Sequence, residues 1–305
     1  PARTARRARG SRARRAAAGQ PRVQASASEE AMFQTVADAM VVAVPVVVPV
    51  PCPEGAGFSV AYAAVQLPLQ QLMPERPSVY CGVGQTDRVV RILCYGDSLT
   101  AGFCCGGLVY EPYGRHLAGA LGMAGTSCEV SVCGLSGRCA HEMAGSADGA
   151  LVDVVGRCGK GLARALEEDG PYHLVLLMAG TNDMGQGMSQ QVTAESLRLL
   201  HGACHARGVP TVALAPPPAP ARGAAWEAHR QVLAGMLREL CVGLPGVAAY
   251  LDPVDLMGAG AAAQPELWDD DGLHFSQLGS CALGRGLAAW ALLHSGAAAG
   301  AAGAA

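Results

Sequence analysis

The chain has 305 residues, of which 50% are hydrophobic and 15% are charged, and its formal net charge is −3. A nearly balanced charge, with a run of arginines confined to the first 22 residues, argues against a nucleic-acid partner. The apolar run from Met40 to Val50 is too short to span a bilayer and is interrupted by prolines, so no transmembrane segment is expected.

The two ends of the chain have compositions that do not favour a core. Residues 1–30 are rich in Arg, Ala, Ser and Gly and contain no acidic residue before Glu29, which predicts disorder. This segment is either a transit-like peptide or a solvated basic tail, so the chain is expected to be soluble, in the cytoplasm or in an organelle. Residues 31–90 are interpreted as an N-terminal extension, a linker or an edge segment, and residues 296–305 as a flexible Ala/Gly tail.

Twelve cysteines raise the question of metal or disulfide sites. The chain contains no C-x-x-C and no Cys/His pairing at zinc-finger spacing, so no metal site is predicted. Several cysteines stand among apolar or small residues, where Cys behaves as a small buried hydrophobe: Cys94, Cys133, Cys204, Cys241 and Cys281. A reducing compartment is the simpler interpretation.

Strand-like and helix-like segments alternate from residue 91 to residue 295. The strands are predicted at residues 89–95, 128–133, 173–178, 210–214 and 247–251. The helices are predicted at residues 113–121, 159–168, 189–207, 226–241 and 278–293. This alternation predicts one α/β domain with five parallel strands and helices on both faces, in which functional residues collect at the carboxyl ends of the strands.

The first motif, Gly96-Asp97-Ser98-Leu99, ends the first predicted strand and opens a helix. A serine at this position can simply cap the helix. Asp97 can take that role, which leaves Ser98 to face the crevice as a nucleophile.

A serine nucleophile needs a base, and His274 in Asp271-Gly272-Leu273-His274 is the histidine with a carboxylate at short fixed spacing in a Gly-containing loop. Asp271 is predicted to hold one ring nitrogen while the other faces Ser98. The alternative is that the acidic residues at 269–271 only complement a helix dipole.

An ester tetrahedral intermediate also needs hydrogen-bond donors for its oxyanion. The candidates are the backbone N–H groups of Ser98 and Gly137 and the side-chain amide of Asn182 in Gly180-Thr181-Asn182-Asp183. Each of the last two could be only a turn or cap residue. Their position at neighbouring strand ends favours the oxyanion role.

These motifs resemble those of the SGNH (GDSL-type) hydrolase superfamily, in which separate blocks contribute Ser, Gly, Asn and His. Gly96–Thr100, Gly134–Gly137, Gly180–Asp183 and Asp271–His274 correspond to these blocks, and Thr100 to Leu121 is similar in layout to arylesterase-like members. The second block departs from the pattern, since Ser131-Val132-Cys133 stands where members often carry an Asn.

The resemblance implies a flavodoxin-like three-layer α/β/α fold and esterase, lipase, thioesterase or carbohydrate-deacetylase activity without a metal or other cofactor. The sequence analysis thus predicts hydrolysis of a small-molecule ester, with a short acyl chain, through an acyl-enzyme on Ser98. An acyltransferase or carbohydrate deacetylase using the same residues is the first alternative. A non-catalytic binding module is the second, and the intact Ser98, Asn182, Asp271 and His274 argue against it.

Overall fold

The computed structural model of the chain describes residues 35–36, 39–52, 55–68 and 77–294. The predictions for residues 1–30 and 296–305 lie outside these described residues. Among the described segments, no helix combines the length and the apolar character needed to cross a membrane.

The chain divides into two units, residues 1–67 and residues 68–305. The first unit contains β1 (Thr35–Val36), β2 (Ala39–Cys52) and all but the last residue of β3 (Gly55–Pro68). The sheet order is β1-β2-β3, and β1 and β2 are antiparallel. The region interpreted from the sequence as an N-terminal extension, a linker or an edge segment (residues 31–90) therefore contains β-strands among its described residues.

Ten strands lie among the described residues of the second unit. They are β4 (Ser78–Gly82), β5 (Val90–Gly96), β6 (Phe103–Cys104), β7 (Val109–Tyr110), β8 (Cys128–Gly134), β9 (Ala150–Val152), β10 (Cys158–Lys160), β11 (Leu174–Met178), β12 (Thr211–Leu214) and β13 (Val247–Leu251).

Nine α-helices are described in the same unit. They are α1 (Ser98–Ala101), α2 (Tyr113–Met123), α3 (Ala140–Gly145), α4 (Leu162–Glu168), α5 (Thr181–Gly185), α6 (Gln190–His205), α7 (Gly223–Gly243), α8 (Pro253–Met257) and α9 (Gln277–His294).

The central sheet has six strands in the order β13-β12-β11-β5-β8-β4. The first five are parallel, and β4 is antiparallel to β8 at the edge. The register pairs Gly96 with both Met178 and Gly134, so β5, β11 and β8 end side by side. The loops that follow these three strands therefore emerge at one edge of the sheet.

Two apolar cores cover the two faces of this sheet, because alternate strand residues point in opposite directions. Ile92 and Cys94 of β5 belong to one core, which includes residues of α2 and α9. Leu93 and Tyr95 belong to the other core, which includes residues of α4, α6 and α7. The buried free thiols of Cys94, Cys133 and Cys204 belong to these cores, as predicted, whereas Cys241 and Cys281 are only partly buried.

The predicted α/β/α fold class is confirmed, and all five predicted parallel strands are present. The sheet also has a sixth strand, β4, which the sequence analysis missed and which lies before the predicted domain start at residue 91. A second difference concerns the helix predicted from Gly159. Gly159 and Lys160 pair with β9 as part of β10, and the helix begins only after Gly161.

Candidate active site

Ser98 is the first residue of α1, at the carboxyl end of β5. The Asp97 carboxylate accepts a hydrogen bond from the Leu99 N–H at 3.0 Å and so caps the helix. Because Asp97 supplies the cap, the Ser98 hydroxyl is available for other contacts, as the sequence predicted. Ser98 is 8% exposed.

The turn that carries Ser98 lies close to β11 because residue 96 is a glycine. A Cβ atom at Gly96 would lie 1.9 Å from the Met178 carbonyl oxygen, so only glycine fits between β5 and β11. The Gly96 carbonyl also accepts a hydrogen bond from the Leu135 N–H at 2.8 Å, which ties the second motif to the first.

His274 lies in the turn before α9, and Asp271 holds that turn together. One oxygen of Asp271, Oδ1, accepts hydrogen bonds from the backbone N–H groups of Leu273 at 2.9 Å and His274 at 3.0 Å. A bridge between Trp268 and Phe275, whose rings are 5.4 Å apart, closes the base of the loop. The backbone of His274 is thus fixed by local hydrogen bonds and by an apolar anchor.

The side chains of Ser98, His274 and Asp271 form a continuous hydrogen-bonded relay. The Ser98 Oγ lies 2.8 Å from His274 Nε2, and His274 Nδ1 lies 2.6 Å from Asp271 Oδ2. A carboxylate can only accept, so Nδ1 carries the proton and Nε2 is left to accept from the serine hydroxyl. This arrangement can remove the proton from Ser98.

Asp271 is arranged to stay ionised. Partial burial acts to raise the pKa of its carboxyl, but hydrogen bonds from the His274 amide and imidazole and from the Leu273 amide outweigh it, and the pKa is lowered. The carboxylate therefore faces the imidazole as a negative charge, which stabilises an imidazolium when one forms.

Gly137 lies in the turn after β8, with a φ of +73°. A side chain is excluded here for two reasons, because this φ disfavours L residues and because a Cβ atom would lie 2.4 Å from Val154. The Val154 N–H donates to the Ser136 carbonyl at 3.0 Å and fixes the turn from the other side. The Gly137 N–H makes no hydrogen bond within the described residues.

Asn182 lies in the first turn of α5, directly after β11. Its side-chain amide donates to the Arg138 carbonyl at 3.0 Å, so it contacts the residue that follows Gly137. An amide nitrogen carries two hydrogens, and this bond uses one of them. The second hydrogen of this amide is the one that Asn182 could donate to an oxyanion.

Phe103 belongs to none of the sequence motifs, yet its ring packs against that of His274 with centroids 4.5 Å apart. Tyr110 in turn packs edge-on against Phe103 at 5.9 Å. Phe103 begins β6, five residues after Ser98, and this closeness in the chain is the one sequence feature that points to it.

The structure brings Ser98, Asp271 and His274 into hydrogen-bonding contact. Gly137 and Asn182 lie in the segments that follow β8 and β11 at the same edge of the sheet. Asp269 does not bind the imidazole. Its backbone N–H donates to the His274 carbonyl at 2.8 Å, and its carboxylate accepts from the Gly106 N–H at 3.5 Å. Of the three acidic residues, only Asp271 bonds to the imidazole. The chemical roles of the five site residues remain predictions.

Comparison with known proteins gives a family and a fold. Residues 94–280 match the GDSL-like Lipase/Acylhydrolase family, and a search of curated proteins found no match. A carbohydrate acetylesterase family member from Sinorhizobium meliloti is 23% identical, with a TM-score of 0.53 over 68% of this chain and 100% of its own. A family 3 carbohydrate esterase from Clostridium thermocellum is 17% identical, with a TM-score of 0.51 over 70% of this chain and 99% of its own. At these identities the two structures establish the likeness of fold.

Proposed function

Since the chain belongs to the GDSL-like lipase/acylhydrolase family, a family of serine ester hydrolases, we propose that it hydrolyses short-chain carboxylic esters through an acyl-enzyme on Ser98. The observation that carries this proposal is the relay from Ser98 through His274 to Asp271, with distances of 2.8 and 2.6 Å. The relay supplies a nucleophile, a base and an orienting carboxylate in hydrogen-bonding reach.

In the acylation step, Ser98 Oγ attacks the ester carbonyl carbon while His274 Nε2 takes the hydroxyl proton. The carbonyl oxygen becomes an oxyanion, for which the N–H groups of Ser98 and Gly137 and the amide of Asn182 are the donors. When the tetrahedral intermediate collapses, the C–O bond to the alcohol breaks and His274 gives its proton to the departing oxygen. The products are the free alcohol and an ester on Ser98.

In the deacylation step, a water molecule takes the place of the alcohol. His274 accepts a proton from this water as it attacks the acyl carbon, and the same three donors hold the second oxyanion. Collapse returns the proton to Ser98 Oγ and releases the carboxylic acid. Asp271 keeps its negative charge throughout and stabilises the transient imidazolium.

A short acyl group is favoured by the segment that follows Ser98. Ala101, Gly102, Gly106 and Gly107 offer almost no apolar surface, and the ring of Phe103 is already packed against His274. Leu108 is 89% exposed, and one solvent-facing side chain cannot enclose a long acyl chain. Each additional buried CH₂ of a substrate would gain about 0.8 kcal/mol only where the protein covers it.

A series of chromogenic esters from acetyl to palmitoyl, assayed with the full chain and with Ser98→Ala, tests this proposal. We expect the highest kcat/KM with acetyl or butyryl esters and loss of turnover in the variant. Full activity of a folded Ser98→Ala protein would overturn the mechanism, whereas a preference for palmitoyl esters would overturn only the chain length. Addition of alcohols or sugars as acceptors distinguishes a transferase, because ester products would then replace the free acid.

A further inference from the structure

Three potential metal ligands meet behind the loops that carry Gly137 and Asn182. Cys139 is the N-cap residue of α3, His141 lies in the first turn of that helix, and Asp183 lies in α5. One ligand atom from each of them, a thiol sulfur, an imidazole nitrogen and a carboxylate oxygen, lies within 4.8 Å of the others. The cluster shares no residue with the Ser98–His274–Asp271 relay.

The hydrogen bonds in this cluster leave two polar atoms without partners. Asp183 is fully buried, and its Oδ2 accepts from the Ala140 N–H at 2.7 Å. Its other oxygen, Oδ1, is buried and has no hydrogen-bond partner within the described residues, and the same is true of His141 Nδ1. These two atoms lie 3.6 Å apart, beyond normal hydrogen-bond length, and both belong to the cluster. Buried polar atoms are rarely left unpaired in this way.

The charge around the cluster favours a cation. The buried carboxylate of Asp183 places negative charge near the Cys139 thiol. The nearby guanidinium of Arg138 is engaged elsewhere, since it donates to Glu142 Oε1 at 2.7 Å and to the Val152 carbonyl. A dication between Asp183 and Cys139 would meet two ligands that can together balance its charge.

We propose that Cys139, His141 and Asp183 form a binding site for a borderline-soft divalent cation such as Zn²⁺, with a water molecule as the fourth ligand. Sulfur, imidazole and carboxylate ligands in tetrahedral geometry are the set that Zn²⁺ takes in proteins. On binding, a metal–sulfur bond replaces the S–H bond of Cys139, and the thiol proton passes to solvent. His141, whose side chain is 39% exposed, provides the route of entry.

The position of the site gives it a structural role. Cys139 and His141 follow the Gly137 turn, and Asp183 follows Asn182 directly in the chain. A bound cation would join the two loops that supply the candidate oxyanion donors, in addition to the single hydrogen bond from Asn182 to Arg138. The metal takes no part in the ester chemistry, and this proposal does not rest on the proposed function.

Titration of the chelator-treated full chain with Co²⁺, as a spectroscopic substitute for Zn²⁺, tests the site. We expect one equivalent to bind, with the thiolate-to-cobalt charge-transfer band and the absorption of a tetrahedral ion. Cys139→Ser should lose the charge-transfer band, and serine is itself a good N-cap residue, so α3 should still form. Cys105→Ser, which removes an exposed thiol outside the cluster, is the matched control and should bind as the wild type does.

Thermal unfolding provides a second test of the site that does not depend on absorption. Zn²⁺ should raise the Tm of the wild type and of Cys105→Ser, but not of Cys139→Ser or His141→Ala. Residues that only hydrogen-bond to metal ligands typically contribute roughly 10–100-fold to metal affinity. Loss of Cys139 or His141, which would bind the metal directly, should weaken Zn²⁺ binding by more than this. Absence of stoichiometric binding to the wild type, or unchanged binding in folded Cys139→Ser and His141→Ala, would overturn the site.

Discussion

At the scale of single residues, Asn182 offers the sharpest test of the proposed oxyanion donors. Its amide already holds the Arg138 carbonyl at 3.0 Å, and the second hydrogen of that amide is the one proposed to stabilise the transition state. Asn182→Ala should therefore lower kcat by about 10²–10³-fold, with KM little changed. Steady-state kinetics on a short-chain ester measures both constants.

Asn182→Asp provides the control for this prediction. The variant keeps the size of the side chain and the preference for a helix N-terminus, but its carboxylate would repel the developing oxyanion. We expect a folded protein with very low kcat. A folded Asn182→Asp protein with undiminished kcat would remove Asn182 from the active site and leave it a turn residue.

Phe103 is predicted to position the imidazole of His274. Its ring lies 4.5 Å from that of His274, and aromatic packing of this kind contributes about 0.5–1.5 kcal/mol. Phe103→Ala should lower kcat by up to about tenfold, because the base then samples orientations that do not face Ser98. Tyr110→Phe, which keeps the ring that packs on Phe103, should leave kcat unchanged. A fall in Tm without a fall in kcat would restrict Phe103 to stabilising its loop.

The site residues differ in how far the sequence could predict them. Ser98, Asp271 and His274 belong to short motifs, and Asp271 reaches His274 within one local turn. Phe103 meets His274 across 171 positions of the chain, and nothing in either local sequence encodes that contact. The proposed metal ligands have no local signal for the same reason, because Asp183 joins Cys139 and His141 only through the fold.

At the scale of elements, the start of α1 contains a fully buried carboxyl, that of Asp97. Burial, together with the negative charge of Asp183, raises the pKa of Asp97 from 3.8 to about 7, although the Leu99 amide acts to lower it. The folded protein therefore binds this proton more tightly than the unfolded chain. The stabilising contribution of the protonated carboxyl is complete below about pH 4 and is lost as the pH rises to about 7.

Asp97→Asn should remove this pH dependence. The asparagine stays neutral, and its side-chain oxygen can still accept from the Leu99 N–H. With a chelator present, the free energy of unfolding of the variant should rise relative to the wild type between pH 4 and pH 7, by up to about 1.4 kcal/mol per unit. Chemical denaturation of both proteins across this range measures the difference. A constant difference would show that Asp97 has the same pKa in both states.

Strands whose residues are all buried are predicted well from sequence patterns. All five residues of β11 are buried, so a continuous apolar run marks the strand. In β4, by contrast, Ser78, Val79 and Cys81 are exposed, and the strand exists because it pairs with β8. A short edge strand of this kind has no pattern of its own, so the sequence does not reveal β4.

At the scale of the whole molecule, β4 predicts where the hydrolase unit can be shortened. Its backbone pairs with β8 from Ser78 to Gly82, and a Cβ atom at Gly82 would lie 2.2 Å from the Ala118 carbonyl of α2. A chain beginning at residue 77 should fold and hydrolyse esters, whereas one beginning at residue 91 should have a clearly lower Tm, because the edge of β8 is then unpaired. Equal Tm values for the two fragments would show that β4 adds no stability.

If Ser98 becomes acylated during turnover, mass spectrometry of the intact protein can detect the acyl-enzyme itself. Acid quenching during turnover of a slowly hydrolysed short-chain ester should give one adduct with the mass of the acyl group, located by peptide mapping at Ser98. Ser98→Ala should give none, and His274→Ala should form it far more slowly. Hydrolysis without any adduct under burst conditions, or an adduct that persists in Ser98→Ala, would rule out an acyl-enzyme on Ser98.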